Sequence, residues 1–211
     1  MVSFTVCLKK LADLQLVCRL CCCLLLCWPL LGQTAEIEIA NPQLSAADDG
    51  YVLSADFAFE LGPRLEEAVT KGVSLHFVAD FELTRPRWYW LDEKLVSRSQ
   101  TWRLSYNTLT RQYRLANGGG LHQSFATLGE GLQMLSRLRN WQVVDKAQVT
   151  GGSLRPGETY LAALRLRLDI SQLPRPFQIS ALGNRDWNLA SDWRLWQLNL
   201  PPAPAAWSDG R

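Results

Sequence analysis

Three stretches of the chain alternate apolar and polar residues with a period of two, and this alternation limits the fold more than any other feature. Tyr51, Leu53, Ala55, Phe57 and Phe59 alternate with Ser54, Asp56 and Glu60. Val73, Leu75, Phe77, Ala79, Phe81 and Leu83 alternate with Ser74, His76, Asp80 and Glu82. Tyr160, Ala162, Leu164, Leu166, Leu168 and Ile170 alternate with Arg165, Arg167 and Asp169. Successive side chains of an extended chain point to opposite faces, so each pattern predicts a strand with one buried and one wet face. Weaker patterns predict strands over 35–40, 87–96, 100–106, 110–115, 141–150 and 191–200, with 107–110 as a hairpin turn. Asp48-Asp49-Gly50 reads as another turn.

Two short helices are predicted between the strands. The segment 63–71 opens with Pro63, carries Glu66 and Glu67 in its first turn and stops before Gly72; each feature suits a helix. The segment 127–139 opens with Thr127 and Glu130, a capping box, and repeats Leu128, Leu132, Leu135 and Leu138 at helical spacing. About nine strands and two short helices predict a mainly β chain, an antiparallel β-sandwich over residues 36–200. The proline-rich end, 201–211, is expected to be a disordered tail.

Residues 1–35 have a different character. Lys9, Lys10 and Arg19 precede an apolar run of 12 residues from Leu20 to Leu31, followed by Gly32-Gln33-Thr34-Ala35. A positive flank, a short apolar region and small residues at its exit are the marks of an export signal. Twelve apolar residues fall short of the ~20 that cross a bilayer comfortably, so the segment is expected to be a signal peptide or an uncleaved anchor. Its long positive region, which includes Asp13, raises the alternative of a later start, for example at Val17. All six cysteines, Cys7, Cys18, Cys21, Cys22, Cys23 and Cys27, lie here, where they act as small hydrophobes. The rest of the chain therefore has no disulfide and no thiolate chemistry. The domain is expected outside the cytoplasmic membrane, periplasmic or tethered to the inner membrane, with membrane contact only through this segment.

Composition excludes several functions. Hydrophobic residues make up 47% and charged residues 20% of the chain, which is globular rather than disordered. Removing Lys9, Lys10, Arg19 and Asp13 with the signal leaves 19 basic against 19 acidic residues, so no phosphate-neutralising surface for nucleic acid is expected. The two histidines, His76 and His122, lack metal-ligand spacing. Serine-nucleophile, P-loop and dinucleotide signatures are missing. No catalytic residue, metal ligand or cofactor is assigned.

The most unusual segment is Arg85-Pro86-Arg87-Trp88-Tyr89-Trp90-Leu91-Asp92-Glu93. Large amphipathic rings give contact area at low entropy cost, so Arg85, Arg87, Trp88, Tyr89, Trp90, Asp92 and Glu93 form a candidate binding surface for a glycan, a lipid headgroup or a protein. The plainer alternative is that the tryptophans fill the sandwich core or pair across strands. Arg87, Arg103, Arg111 and Arg114 are candidates to lie near Asp92 and Glu93. Those two carboxylates are also the acid and base candidates if the chain is instead a hydrolase of envelope glycans.

Three motifs carry a resemblance. They are Phe81-Glu-Leu-Thr-Arg-Pro-Arg-Trp-Tyr-Trp90 with Asp92 and Glu93; Trp102-Arg-Leu-Ser-Tyr-Asn107 followed by Leu109-Thr-Arg-Gln-Tyr-Arg-Leu115; and Leu168-Asp-Ile-Ser-Gln-Leu-Pro-Arg-Pro-Phe177. Over residues 36–200 the chain resembles the bacterial family called domain of unknown function 4390. The resemblance implies an exported or membrane-tethered protein of Gram-negative bacteria, encoded beside envelope sensor-kinase systems, and assigns no catalytic residues. The function expected from residues and resemblance together is a binding or accessory module with an envelope protein partner, a sensor kinase being the candidate.

Overall fold

Each of the three alternating stretches forms a strand whose apolar side is buried. The computed structural model describes residues 37–87, 89, 92–181, 184–204 and 207; the expected signal or anchor lies outside the described residues. Strand β1 (Glu38–Ala47) turns through Asp48-Asp49 into β2 (Gly50–Ala58), and helix α1 (Pro63–Thr70) leads to β3 (Leu75–Arg85). Then follow β4 (Glu93–Asn107), β5 (Gln112–Asn117), β6 (His122–Phe125), helix α2 (Leu128–Leu135), β7 (Arg137–Asp145) and helix α3 (Lys146–Thr150). Strand β8 (Thr159–Leu168), helix α4 (Arg175–Ala181) and β9 (Arg194–Asn199) complete the order. No helix among the described residues is long and apolar enough to cross a membrane.

The strands make two antiparallel sheets. One has three strands in the order β1-β2-β7, the other six in the order β6-β5-β4-β3-β8-β9. Their facing sides, including Tyr51, Leu53 and Phe57 on one sheet and Phe77, Phe81, Leu83 and Leu164 on the other, share one buried apolar cluster. This is the mainly β two-sheet architecture that the alternation predicts. Helix α1 buries Leu65, Ala68 and Val69 in the same cluster. Trp207 sits edge-on against Tyr51 with ring centroids 5.4 Å apart, and its Nε1–H donates to Asp48 O at 2.9 Å. The expected disordered tail is thus anchored at Trp207, which is buried.

Several boundaries depart from the pattern-based expectation. Residues 87–96 and 100–106 do not make two strands; β4 runs unbroken over 15 residues because β3 pairs with it from Leu75↔Leu104 to Arg85↔Glu93. The predicted helix 127–139 keeps its capping box but stops at Leu135. Leu138 continues the helical spacing, yet pairing with Ala55 of β2 captures it in β7. Residues 146–150 are helical rather than extended, and β6, only four residues long, was not predicted. Two short helices are therefore joined by two more, α3 and α4.

Gly50 sets how closely β7 approaches the β1–β2 turn. It has φ 148°, and a Cβ there would lie 1.9 Å from the Val144 carbonyl oxygen. Gly50→Ala is expected to lower stability by about 3 kcal/mol or more, because backbone must move. Gly72→Ala, with φ 92° and open space around it, is expected to cost about 1–2 kcal/mol. Denaturant unfolding of the two variants checks the ordering.

Candidate functional site

The final pair of the β3–β4 ladder, Arg85↔Glu93, brings part of the arginine-aromatic segment together. Arg85 Nη1 donates to Glu93 Oε2 at 3.3 Å and Nη2 to Ser153 O at 3.0 Å. Nη2 also lies 3.6 Å from Glu158 Oε2, and the guanidinium sits 5.7 Å from the Tyr160 ring centroid. Tyr160 donates to Glu158 at 2.9 Å and accepts from Arg155 N–H at 2.8 Å. Arg87 turns back on the segment: its guanidinium pairs with Glu93 and its backbone N–H donates to Asp92 Oδ1 at 3.2 Å. Arg85, Arg87, Asp92 and Glu93 thus form a clamp that ties the connection after β3 to the loop before β8.

Tyr89 is 69% exposed, and Trp88 and Trp90 lie outside the described residues. Contrary to the expectation from sequence, Arg103 does not lie near Asp92 and Glu93, because it stands opposite His76 in the β3–β4 ladder. Nine residues of β3 separate His76 from Arg85, about 30 Å of strand. Arg111 and Arg114 belong to the same far end, at the β4–β5 hairpin. A depression of about 470 Å³ beside the clamp is lined by Arg85, Gly152, Arg155, Glu158 and Thr159. Neither Asp92 nor Glu93 lines it, and Glu93 already accepts from two guanidinium groups. The clamp is chemically an ion-pair buttress.

The larger concavity lies elsewhere, between the sheets. β4 points Val96, Arg98, Gln100, Trp102 and Leu104 to one side; Arg98 meets Asp145 at the end of β7, and Gln100 and Trp102 face a concavity. There a groove of about 690 Å³ opens between β4–β5, the β6 edge, α2 and β7. Trp102, Leu115, Leu138 and Trp141 line its depth, with Leu121 (76% exposed) and Met134 (45% exposed) at the rim. Trp141 packs edge-on against Phe81, centroids 6.4 Å apart. Gln100, Asn117, Gln123, Asn140 and Gln142 supply amides. Arg139 pairs with Asp56, and Arg137 stands beside it, while among the described residues no carboxylate lines the groove. Sequence reading missed this site because its residues come from five separate segments. The signal available was a polar residue, Gln100, on the apolar phase of β4.

A third polar cluster lies on the outer face of the six-stranded sheet. Asp80 accepts from Arg165 at 3.0 and 3.1 Å, from Arg167 at 3.0 Å and from Ser99 at 2.8 Å. Arg165 also stacks over Trp193, 4.5 Å from the ring centroid. Burial pushes the Asp80 carboxyl up, but the Ser99, Arg167 and Arg165 hydrogen bonds outweigh it and hold the group below its ordinary value.

Among the described residues no group of three or more His, Cys, Asp or Glu is placed to hold a metal ion. Two antiparallel sheets around one core, stapled by ion pairs and open along one groove, define a mainly β sandwich protein. Residues 34–197 match the family model described as domain of unknown function (DUF4390), and the chain belongs to that family. No curated protein and no solved structure matches it.

Asp80→Asn is expected to cost about 1–3 kcal/mol near neutral pH, since it removes the charge that two arginines share and turns one of the two accepting oxygens into a donor. The lowered carboxyl makes this stabilisation full above the unfolded value of about 4 and lost as pH falls through the folded value. Wild type and variant should therefore converge in unfolding free energy below about pH 4. At the clamp, Arg85→Ala should cost about 1–2 kcal/mol because the side chain ties two loops. Arg87→Ala, at a more exposed pair, should cost less than about 1 kcal/mol. Urea denaturation separates the two.

Proposed function

We propose that this chain is a non-catalytic binding module exported to the bacterial envelope, and that its groove holds an extended segment of an envelope protein. The observation that carries this reading is the groove lining: two tryptophans at depth, apolar rim residues, and amide side chains between them. Gln100 and Gln123 make no side-chain hydrogen bond among the described residues, so both can serve a partner's main chain. Amides offer donor and acceptor together, as a peptide backbone requires. Trp102, Trp141 and Leu138 form pockets for alternate side chains of such a segment. Arg137, beside the Arg139–Asp56 pair at the groove lining, favours a segment with an acidic residue beside its apolar ones.

Export rests on the basic-then-apolar character of residues 1–35. The partner class follows from that address, with the sensor domain of a membrane kinase as the candidate. The glycan-hydrolase alternative finds no support at the clamp, where Asp92 and Glu93 are engaged by Arg87 and Arg85.

The test is site-specific photocrosslinking from Leu121 and Met134 in envelope preparations. The expected result is a discrete adduct with an envelope protein whose yield falls at least about tenfold in Trp102→Ala and Arg137→Glu variants, the loss of anchor contacts and of a charge match. The same probe placed at exposed Ile179, away from the groove, should give no such adduct. Equal adducts at both places, or adducts indifferent to the groove variants, overturn the reading.

A further inference from the structure

On the outer face of the six-stranded sheet two neighbouring arginines, Arg103 and Arg114, have no ion pair with a carboxylate among the described residues. In register across four strands stand His76 on β3, Arg103 on β4, Ala116 on β5 and His122 on β6. Arg114 of β5 is opposite Ser105 and Ser124, two residues from Ala116. Arg103 and Arg114 are thus diagonal neighbours on one face, a separation of about 7–8 Å that long side chains easily close. Like charges so placed repel unless an anion lies between them.

The surroundings make a receptacle at that point. Thr101, Arg103, Ser105, Arg114, Ala116 and His122 line a cavity of about 370 Å³. Ala116 opposite Arg103 leaves the floor open where a larger side chain would fill it. The Arg114 Nε and the His76 Nδ1 are shielded from solvent and have no hydrogen-bond partner. A buried unsatisfied donor costs about 1–3 kcal/mol, more when charged, so Arg114 is held in a state that an acceptor in the cavity would relieve. Burial, with the nearby Arg103 charge, also holds the His76 imidazole below its ordinary value against the opposing pull of Asp169. The acids nearest this row are otherwise engaged: Asp169 accepts from Ser171 at 2.6 Å, and Asp80 is saturated by Arg165, Arg167 and Ser99.

We infer that this cavity binds a phosphate group, free or carried on a lipid headgroup. Two guanidinium forks, two hydroxyls and an imidazole approach from β4, β5 and β6. Donors in that number and spread match the four oxygens of a tetrahedral phosphate better than the two of a planar carboxylate. The site lies on the outer face of the large sheet, whereas the groove opens between the sheets, so it stands or falls independently of the proposed function.

The test measures binding of the full chain to inorganic phosphate by calorimetry, and to vesicles of phosphatidylglycerol or of phosphatidylcholine by co-sedimentation. All arms are run at matched ionic strength, so that general screening cancels. The wild type is expected to bind phosphate or the anionic vesicles, and to melt at a higher temperature with phosphate than with chloride. An Arg103→Gln/Arg114→Gln double variant is expected to lose at least about tenfold in affinity, the scale of one lost charge-assisted hydrogen bond or more. His122→Ala, exposed and outside the core, gives a second reading if the double variant melts early, and should weaken binding about three- to tenfold. Phosphate binding that both variants weaken supports a site for the free anion. Vesicle binding alone, lost in the variants, supports the headgroup. No binding to any probe, or binding that the variants leave unchanged, overturns the inference.

Discussion

A three-stranded sheet laid on a six-stranded one leaves about half of the larger apolar face to be covered by something else, because strands lie only about 4.8 Å apart. That mismatch organises the molecule. The small sheet sits over the central part of the large one, where Tyr51, Leu53 and Phe57 share one cluster with Phe77, Phe81 and Leu83. Beyond β8 the remaining surface is closed by local elements: Phe177 stacks on Trp187 with centroids 5.5 Å apart, and Trp196 leans on Phe81 at 6.4 Å. Beyond β4 helix α2 covers part of the face, and the end of helix α1 reaches Tyr113 of β5 through Thr70. The apolar phase of β4 turns polar at Arg98, which meets Asp145 of β7, and at Gln100, which faces the groove.

The tryptophans follow the same logic. Trp187 and Trp207 are buried, each capping one margin of the sandwich, and Trp102 and Trp141 are half-buried within the groove. A residue with a broad apolar ring and one N–H donor suits a boundary between core and water. Tryptophan is therefore frequent here because a mismatched sandwich has long margins. The arginines divide by partner. Arg85, Arg165 and Arg167 are held by carboxylates and fix loops or strands, whereas Arg103 and Arg114 stand diagonally on neighbouring strands of the large sheet with no ion pair among the described residues.

Legibility in the sequence tracked how local the determining force was. β2, β3 and β8 are strongly alternating; burial repeats the alternation throughout β8, and elsewhere breaks it at Gly50 in β2 and Val78 in β3. The Thr127–Glu130 capping box is a contact across three residues and was readable for that reason. Where helix α2 ends was not, because Leu138 fits either a fourth helical turn or a strand, and only the ladder to β2 decides. β6 escaped notice because four residues, three of them exposed, carry no periodic signal. The arginine-aromatic segment drew attention by composition, yet its arginines and acids serve each other.

The sequence by itself determined a mainly β chain, its strongest strands, the turn at Asp48-Asp49 and the separate character of residues 1–35. These follow from side-chain periodicity, turn chemistry and the contiguous run of apolar residues, all short-range properties. Tertiary structure alone decided that β4 is one strand, that three strands cover six, and that Arg103 and Arg114 line one cavity beside Ala116. Register and sheet order bring together residues far apart in the chain, and a periodicity of two says which face a residue takes but not what stands opposite it.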